Sequence, residues 1–158
     1  MHKTIVANST PIISLHGINR LDILKNMYGK IIIPNAVHAE VIVKSASALE
    51  GYDWIYVKSI LNLSAKEAFT SALHDGEAET IILAKELDAD LIIIDDRLAR
   101  RHAKYFGLVV TGTVGVLLRA KRSGVINKVR PVLDDLIGFG FYISEDVCQK
   151  VLDIADEL

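Results

Sequence analysis

The stretch LIIIDDRLARRHA, residues 91–103, contains the transition that decides the fold. Its first four residues are apolar and mostly β-branched, which is typical of a short buried strand. Two aspartates end this run, and residues 97–106 then follow a helical pattern that stops at Gly107. A buried strand that passes through a polar turn into a helix is the repeating unit of an α/β fold.

The same unit recurs in both directions from this stretch. Residues 4–7, 31–33 and 108–110 are similar apolar runs, and residues 54–57 fit an edge strand because they mix aromatic and β-branched side chains. Helical patterns occupy 11–27 (two helices broken near Gly17), 34–47 (Pro34 in the first turn), 65–73, 75–88 (capped by Asp75), 113–122, 127–138 and 144–157. Alternating strands and helices predict a three-layer α/β/α sandwich with a mostly parallel central sheet.

Length and composition favour a single globular domain. The chain has 158 residues, of which 51% are hydrophobic and 24% are charged. We expect the C-terminal helices, about 127–158, to pack on this domain or to form a dimer surface. No apolar run approaches the roughly 20 residues of a membrane span, so no membrane is expected as a partner. Cys148 is the single cysteine, which excludes an internal disulfide and favours a cytoplasmic location.

Charge is unevenly distributed although the formal net charge is only −2. Residues 95–130 contain nine lysines and arginines, against Asp95 and Asp96 as the acidic residues. The rest of the chain holds nine basic and eighteen acidic residues. Such a basic segment suits contact with a phosphate backbone, and two ordinary solvated helix faces would explain it equally well.

Oxygen-bearing side chains follow the predicted strands at their carboxyl ends. Ligands of such sheets bind at this edge, so these side chains are expected near one another. Carboxylate, amide and hydroxyl oxygens without cysteine or paired histidine suit Mg²⁺ or Mn²⁺ far better than Zn²⁺. The residues that directly follow strands are Asn8, Ser9, Asp95, Asp96, Thr111 and Thr113. Glu40 lies two turns into the helix after residues 31–33, and Glu77 and Glu79 lie in the first turn of the helix that leads to Leu91.

Each of these residues also has a purely structural explanation. Asn8 would cap the helix that follows it, and one of Asp95 and Asp96 would cap the next helix along the chain. Glu77 lies in a first helical turn, where an acid complements the helix dipole, and Glu40 would fit an exposed helix face. Their common location, rather than any one of them, favours a metal site.

Five stretches together resemble the PIN-domain proteins, in particular prokaryotic members similar to VapC toxins. They are NSTPII at 8–13, IPNAVHAEV at 33–41, GEAETIILAKE at 76–86, LIIIDDRLARRHA at 91–103 and TGTVGVLLRAKRSGVI at 111–126. The resemblance covers nearly the whole chain. It implies an endoribonuclease that depends on Mg²⁺ or Mn²⁺, often a homodimer and often the toxin of a toxin–antitoxin pair. RNA and an antitoxin protein are the partners it implies.

The resemblance also assigns roles to residues. The four acidic positions of the family, which bind metal and carry catalysis, fall on Asn8, Glu40, Glu77 and Asp96. Supporting roles fall on Ser9 or Thr10, on Asp95, and, from its place at a strand end, on Thr113. The basic residues expected to contact RNA are Arg97, Arg100, Arg101 and Lys104.

Asn8 departs from the family pattern, which has Asp at this position. An amide oxygen coordinates a metal but brings no negative charge, so metal affinity should fall. An alternative is therefore a catalytically attenuated PIN module that binds RNA or a protein partner without efficient cleavage. A magnesium-dependent phosphatase or phospho-receiver domain is disfavoured, because its nucleophilic Asp would have to stand where Asn8 does.

Overall fold

The central sheet is parallel throughout. The computed structural model describes residues 3–45, 49–69 and 72–158, and within these ranges five strands form one sheet. They are β1 (Ile5–Ala7), β2 (Ile31–Pro34), β3 (Ile55–Lys58), β4 (Leu91–Ile93) and β5 (Val110–Thr111). Their order is β3-β2-β1-β4-β5, and each neighbouring pair is parallel. The predicted α/β sandwich is confirmed.

Helices connect the strands where the sequence pattern predicts them. They are α1 (Ser9–Gly17), α2 (Asp22–Tyr28), α3 (Asn35–Lys44), α4 (Leu63–Phe69), α5 (Asp75–Glu86), α6 (Arg97–Tyr105), α7 (Thr113–Arg122), α8 (Val129–Phe139) and α9 (Glu145–Ile154). No helix of the described ranges combines the length and the apolar character needed to cross a membrane.

Two details of the predicted helices are wrong. Pro34 is not in the first turn of α3; it is extended (ψ 167°) and pairs with Lys58 as the last residue of β2. Asp75 does not cap α5 but is its first residue, because His74 occupies the N-cap position. The side chain of Glu77 accepts a hydrogen bond from the backbone N–H of His74. The predicted end of the helix of residues 34–47 lies outside the described residues.

Side chains alternate between the two faces of the sheet and fill two separate cores. In β1, Ile5 and Ala7 belong to one core and Val6 to the other, and β4 repeats the alternation. The first core includes buried side chains of α1, α2, α7, α8 and α9, and the second includes those of α5 and α6. Both faces are thus covered by helices, which is why the strands are almost wholly apolar.

The C-terminal tail is fixed by one carboxylate, that of Glu157. It accepts hydrogen bonds from Lys121 Nζ (2.9 Å) and from the backbone N–H groups of Val129 (2.7 Å) and Arg130 (2.9 Å). Burial alone would raise the pKa of Glu157, but these donors together lower it to about 2. This contact, which we call the tail clamp, joins the end of the chain to the start of α8.

The strand order places a crevice at the carboxyl ends of β1 and β4. From β1 the chain goes first to β2 on one side, and later returns to β4 on the other side. Ligands of open parallel sheets bind where the order reverses in this way. Asn8 follows β1 directly, and its backbone N–H donates to Ile93 O of β4 at 2.9 Å. Asn8 therefore stands at the reversal point.

Candidate active site

A polar cleft opens at this reversal point, and we call it the strand-end cleft. Three segments build it: the start of α1, one side of α3, and the first turn of α5 with the residues before it. Its lining consists of Asn8, Ser9, Thr10, Ala36, Glu40, Lys44, Leu73, His74, Asp75, Gly76 and Glu77. Three of the four predicted metal ligands thus share one cleft, while Asp96 lies outside its lining.

Asn8 carries a buried oxygen that the protein leaves without a hydrogen bond. The residue is only 5% exposed and holds the N-cap position of α1, yet its side chain does not cap the helix. Its Oδ1 has no hydrogen-bond partner within the described part of the chain. Such a buried acceptor costs about 1–3 kcal/mol. The capping explanation for Asn8 is therefore wrong, and the oxygen is available to an external donor or cation.

Glu40 presents a second available oxygen to the same space. Its Oε1 accepts hydrogen bonds from Ser9 Oγ at 2.9 Å and from Lys44 Nζ at 3.3 Å. Its Oε2 faces Gly76, where an added Cβ would lie 3.0 Å from it and 3.6 Å from Asn8 Oδ1. The missing side chain of Gly76 therefore keeps open the gap between these two oxygens.

Glu77 lies in a field of negative charge. Burial is the main reason that its pKa is raised, and the charges of Asp96 and Glu40 raise it further. The hydrogen bond from the His74 N–H to Glu77 Oε1 (3.1 Å) and the charge of His74 act in the opposite direction. A divalent cation near these carboxylates would relieve their mutual repulsion.

The two aspartates after β4 are used differently. Asp96 caps α6, since its Oδ2 accepts a hydrogen bond from Ala99 N–H at 2.9 Å. Asp95 points toward β5 and accepts from Thr113 N–H (2.8 Å) and Thr113 Oγ1 (2.7 Å). Burial raises the pKa of Asp95 against these two bonds and the nearby charge of Arg100. Asp95 thus bonds to Thr113, and the cation whose charge acts on it is Arg100.

The donor set tests how well the cleft suits a metal. Within the described ranges, no three His, Cys, Asp or Glu side chains are grouped closely enough to hold an ion, so the expected convergence of Glu40, Glu77 and Asp96 is not found. The available oxygens of Asn8 and Glu40 nevertheless match the ligand chemistry of Mg²⁺. That ion keeps several waters and uses one or two carboxylates. The residues fit an ion held at this gap by Asn8 and Glu40, while Asp96, outside the cleft lining, acts on Glu77 through its charge.

All four predicted RNA-contacting residues line one second groove, which we call the α6 groove. It opens between α6, the start of α7 and the connection from α8 to α9. Arg97, Arg100, Arg101 and Lys104 share it with Asp95, Gly112, Val114, Gly115, Phe141, Tyr142, Ile143, Ser144 and Val147. Asp95 thus lines the basic groove and does not line the acidic cleft.

Sequence reasoning missed two residues of these sites. Lys44 pairs with Glu40 across one helical turn, and the i,i+4 spacing of an acid and a lysine was a signal that could have found it. Tyr142 enters the α6 groove from the α8–α9 connection, and no local pattern indicates this approach. Glu79, by contrast, accepts from Ala36 N–H (3.0 Å) and Lys66 Nζ (2.6 Å), which makes it a structural residue.

Comparison with known proteins identifies one family. The family model described as DUF3368, PIN domain, matches residues 4–157. Among solved structures, a PilT N-terminus domain protein, SSO1118 from the hyperthermophilic archaeon Sulfolobus solfataricus P2, is similar at 19% sequence identity. That match covers 90% of this chain and 98% of the other, with a TM-score of 0.48, so it carries no functional argument. No curated protein matches the chain.

Proposed function

We propose, from the premise that this chain belongs to the PIN domain family, that it is an endoribonuclease dependent on Mg²⁺ or Mn²⁺. PIN domains are typically nucleases, and the family match extends over residues 4–157. The observation that carries the proposal is the gap at Gly76, where the unpartnered Asn8 Oδ1 and the Glu40 Oε2 lie 3.6 Å and 3.0 Å from the position that an added Cβ would occupy.

The residues of the strand-end cleft divide the work of holding a metal. Asn8 and Glu40 would hold the ion directly, and Glu77 and Asp96 would accept hydrogen bonds from its waters. When bound, such an ion lowers the pKa of an attacking water and neutralises the scissile phosphate. Loss of this arrangement should therefore remove hydrolysis of the phosphodiester bond while leaving the fold intact.

Ser9 and Lys44 prepare Glu40 for this role. Ser9 donates to Glu40 Oε1, which fixes the carboxylate so that Oε2 turns toward the gap. Lys44 neutralises the same oxygen from the lining of the cleft, and its side chain is 59% exposed, so its ammonium can also contact a phosphate. Thr10 lines the cleft beside them. Asp95 and Thr113 hold the ends of β4 and β5 together, so their contribution is to position α6 and α7.

Cleavage of RNA with and without Mn²⁺ tests the proposal. The wild-type protein should cut single-stranded RNA only when the metal is present, and Glu40→Gln should not cut it. Asp134→Asn, an exposed carboxylate on α8 outside the cleft lining, is the matched control and should cut normally. Equal cleavage by wild type and Glu40→Gln would reject the assignment of the site.

A catalytically attenuated PIN module that binds RNA or a protein partner is the second candidate, and Asn8 favours it. The amide supplies a coordinating oxygen without a charge, so the ion should be held more weakly than by Asp. Asn8→Asp separates the two candidates. A large gain in cleavage would identify the natural protein as attenuated, and an unchanged or lower rate would identify Asn8 as suited to full activity.

The resemblance of the sequence to VapC toxins extends the proposal to binding partners and cellular location. On that basis the chain is a homodimeric cytoplasmic toxin that an antitoxin protein neutralises. Expression of the wild-type protein should then arrest bacterial growth, and expression of Glu40→Gln should not. Growth that continues although the protein is soluble and active would exclude the toxin role and leave the nuclease proposal unaffected.

A further inference from the structure

The α6 groove combines free positive charge with an exposed aromatic ring. We propose that it is a subsite for single-stranded RNA separate from the strand-end cleft, in which Tyr142 stacks on an unpaired base and the cations of α6 bind the flanking phosphates. The inference rests on the proposed nuclease function, because the subsite would bind the RNA that the cleft cuts. RNA binding itself can be measured without any cleavage.

The cations of the groove lie on one side of α6. Arg97, Arg101 and Lys104 are spaced four and three residues apart, which places them on one helix face, and all three are exposed. Within the described ranges, none of the three forms an ion pair with an acidic side chain. Three uncompensated charges on one face attract a phosphate backbone.

Arg100 differs from these three cations. An added Cβ at Gly112 would lie 2.7 Å from both Arg100 Nη1 and Asp95 Oδ1, so the two charged groups meet beside Gly112. Asp95 therefore compensates Arg100, which contributes less to anion binding than its three neighbours on the helix. The uncompensated positive charge of the groove is therefore that of Arg97, Arg101 and Lys104.

Tyr142 is held outward by the residues on both sides of it. Phe141 and Ile143 pack against the core, and Phe141 N–H donates to Leu136 O at 2.9 Å. Tyr142 between them is 87% exposed. The backbone of the connection is thus anchored at two points, so it needs little additional ordering when a base stacks on the Tyr142 ring.

The groove favours single strands over duplexes. A base can stack on Tyr142 only if it has left its own stack, which single-stranded RNA permits and a paired helix resists. The groove and the strand-end cleft both open at the carboxyl ends of the strands, the groove beside β4 and β5 and the cleft beside β1. Asp95 follows β4 and lines the groove, while Asn8 follows the neighbouring β1 and lines the cleft.

Fluorescence anisotropy of a labelled oligouridylate, measured without metal on the Glu40→Gln background, tests the subsite. Removal of the ring in Tyr142→Ala should weaken the Kd about tenfold, within the range for one stacked base. Tyr142→Phe should retain binding because it keeps the aromatic face. Tyr105→Ala is the matched control, since Tyr105 on α6 is 84% exposed but lies outside the groove lining, and its Kd should not change.

Salt dependence tests the cations separately from the ring. Arg101→Ala and Lys104→Ala should each lower the slope of log Kd against log salt by about 0.7, the value for one phosphate contact on a single strand. Tyr142→Ala should leave that slope unchanged. Arg122→Ala, an exposed cation at the end of α7 outside the groove lining, should leave both slope and affinity unchanged.

Four outcomes decide the inference. The subsite would be overturned if Tyr142→Ala and Tyr105→Ala had equal effects on the Kd. It would also be overturned if Tyr142→Ala weakened binding of an RNA duplex of the same length as much as binding of the single strand. Tyr142-dependent binding by a wild-type protein that fails to cut RNA with Mn²⁺ would support the subsite and reject the nuclease. Metal-dependent cleavage with oligouridylate binding that Tyr142→Ala leaves unchanged would reject the subsite and support the nuclease.

Discussion

The tail clamp and the strand-end cleft differ in whether their polar side-chain oxygens have hydrogen-bond partners. At the tail clamp, the Glu157 side chain is 7% exposed and accepts from one ammonium and two backbone N–H groups. In the cleft, Asn8 Oδ1 is buried with no partner in the described residues, and Glu40 Oε2 faces an open gap. The pKa of Glu157 is lowered to about 2, whereas that of Glu77 is raised.

This difference separates acids that hold the fold from those we assign to catalysis. A buried carboxylate is compatible with a stable fold when its oxygens accept hydrogen bonds, and it destabilises the fold when they have no partners. The chain satisfies Glu157 and Glu79 in full, and leaves oxygens of Asn8 and Glu40 available. We therefore expect substitutions at the tail clamp to affect stability alone, and substitutions at the cleft to affect activity alone.

The largest expected effect is on catalysis in the cleft. Glu40→Gln removes the charge that would hold the metal, so RNA cleavage with Mn²⁺ should fall by at least about 100-fold. Glu157→Gln should retain the wild-type rate per folded molecule. Initial rates, normalised to the folded fraction seen by circular dichroism, provide the measurement. A comparable loss of rate in both variants would remove the distinction between the two regions.

The second effect is on stability at the tail clamp. Glu157→Gln weakens charge-assisted hydrogen bonds from Lys121, Val129 and Arg130, and should lower the free energy of unfolding by about 2 kcal/mol. Urea denaturation followed by circular dichroism measures this difference. Glu40→Gln should change the free energy by less than about 1 kcal/mol, as is usual for a partly exposed ion pair. A larger loss in Glu40→Gln would identify Glu40 as structural.

The third effect tests the gap itself. Gly76→Ala places a Cβ 3.0 Å from Glu40 Oε2 and 3.6 Å from Asn8 Oδ1, so cleavage should fall about tenfold without loss of stability. Gly138→Ala is the matched control, because a Cβ there meets nothing within 4 Å in α8. That control should keep its full cleavage rate. If Gly76→Ala also keeps it, the gap is not where the metal binds.

The smallest effect is the acid limb of stability. The pKa of Glu157 is about 2 in the folded state and 4.5 as the unperturbed value, so its stabilisation is present above about pH 4.5. It is lost as the pH falls toward 2. Glu157→Gln should show a flatter decline over this window than wild type in denaturation at stepped pH. Parallel declines would mean that the tail clamp does not hold a charged carboxylate.

The order of strands and helices was predictable because it depends on local apolar patterns. The short apolar runs predict the strands of the described residues, although the run at 108–110 overlaps β5 in Val110 alone. The polar residues after these runs indicate the carboxyl edge near which Asn8, Glu40 and Glu77 lie. The one family departure, Asn8, was also visible from the sequence. These features depend on residues that are close together in the sequence. The parallel arrangement of the strands then brings their carboxyl ends to one edge of the sheet.

Which oxygens are satisfied was not predictable, because the donors come from distant segments. Ser9 reaches Glu40 from another element, and Thr113 reaches Asp95 from beyond β5. The sequence allowed either Asp95 or Asp96 to cap α6, and the choice of Asp96 depends on the turn geometry after β4. Tyr142 enters the α6 groove only because two flanking side chains anchor its connection in the core.

Calorimetric titration with Mn²⁺ tests the central claim most directly, since it does not depend on the RNA. We predict one site in wild type that Glu40→Gln abolishes, that Asn8→Asp tightens, and that Glu157→Gln leaves unchanged. Asp in place of Asn8 supplies the missing charge at the gap, so its affinity should be the highest of the four proteins. Equal Mn²⁺ affinity in wild type and Glu40→Gln would contradict a metal site between Asn8 and Glu40.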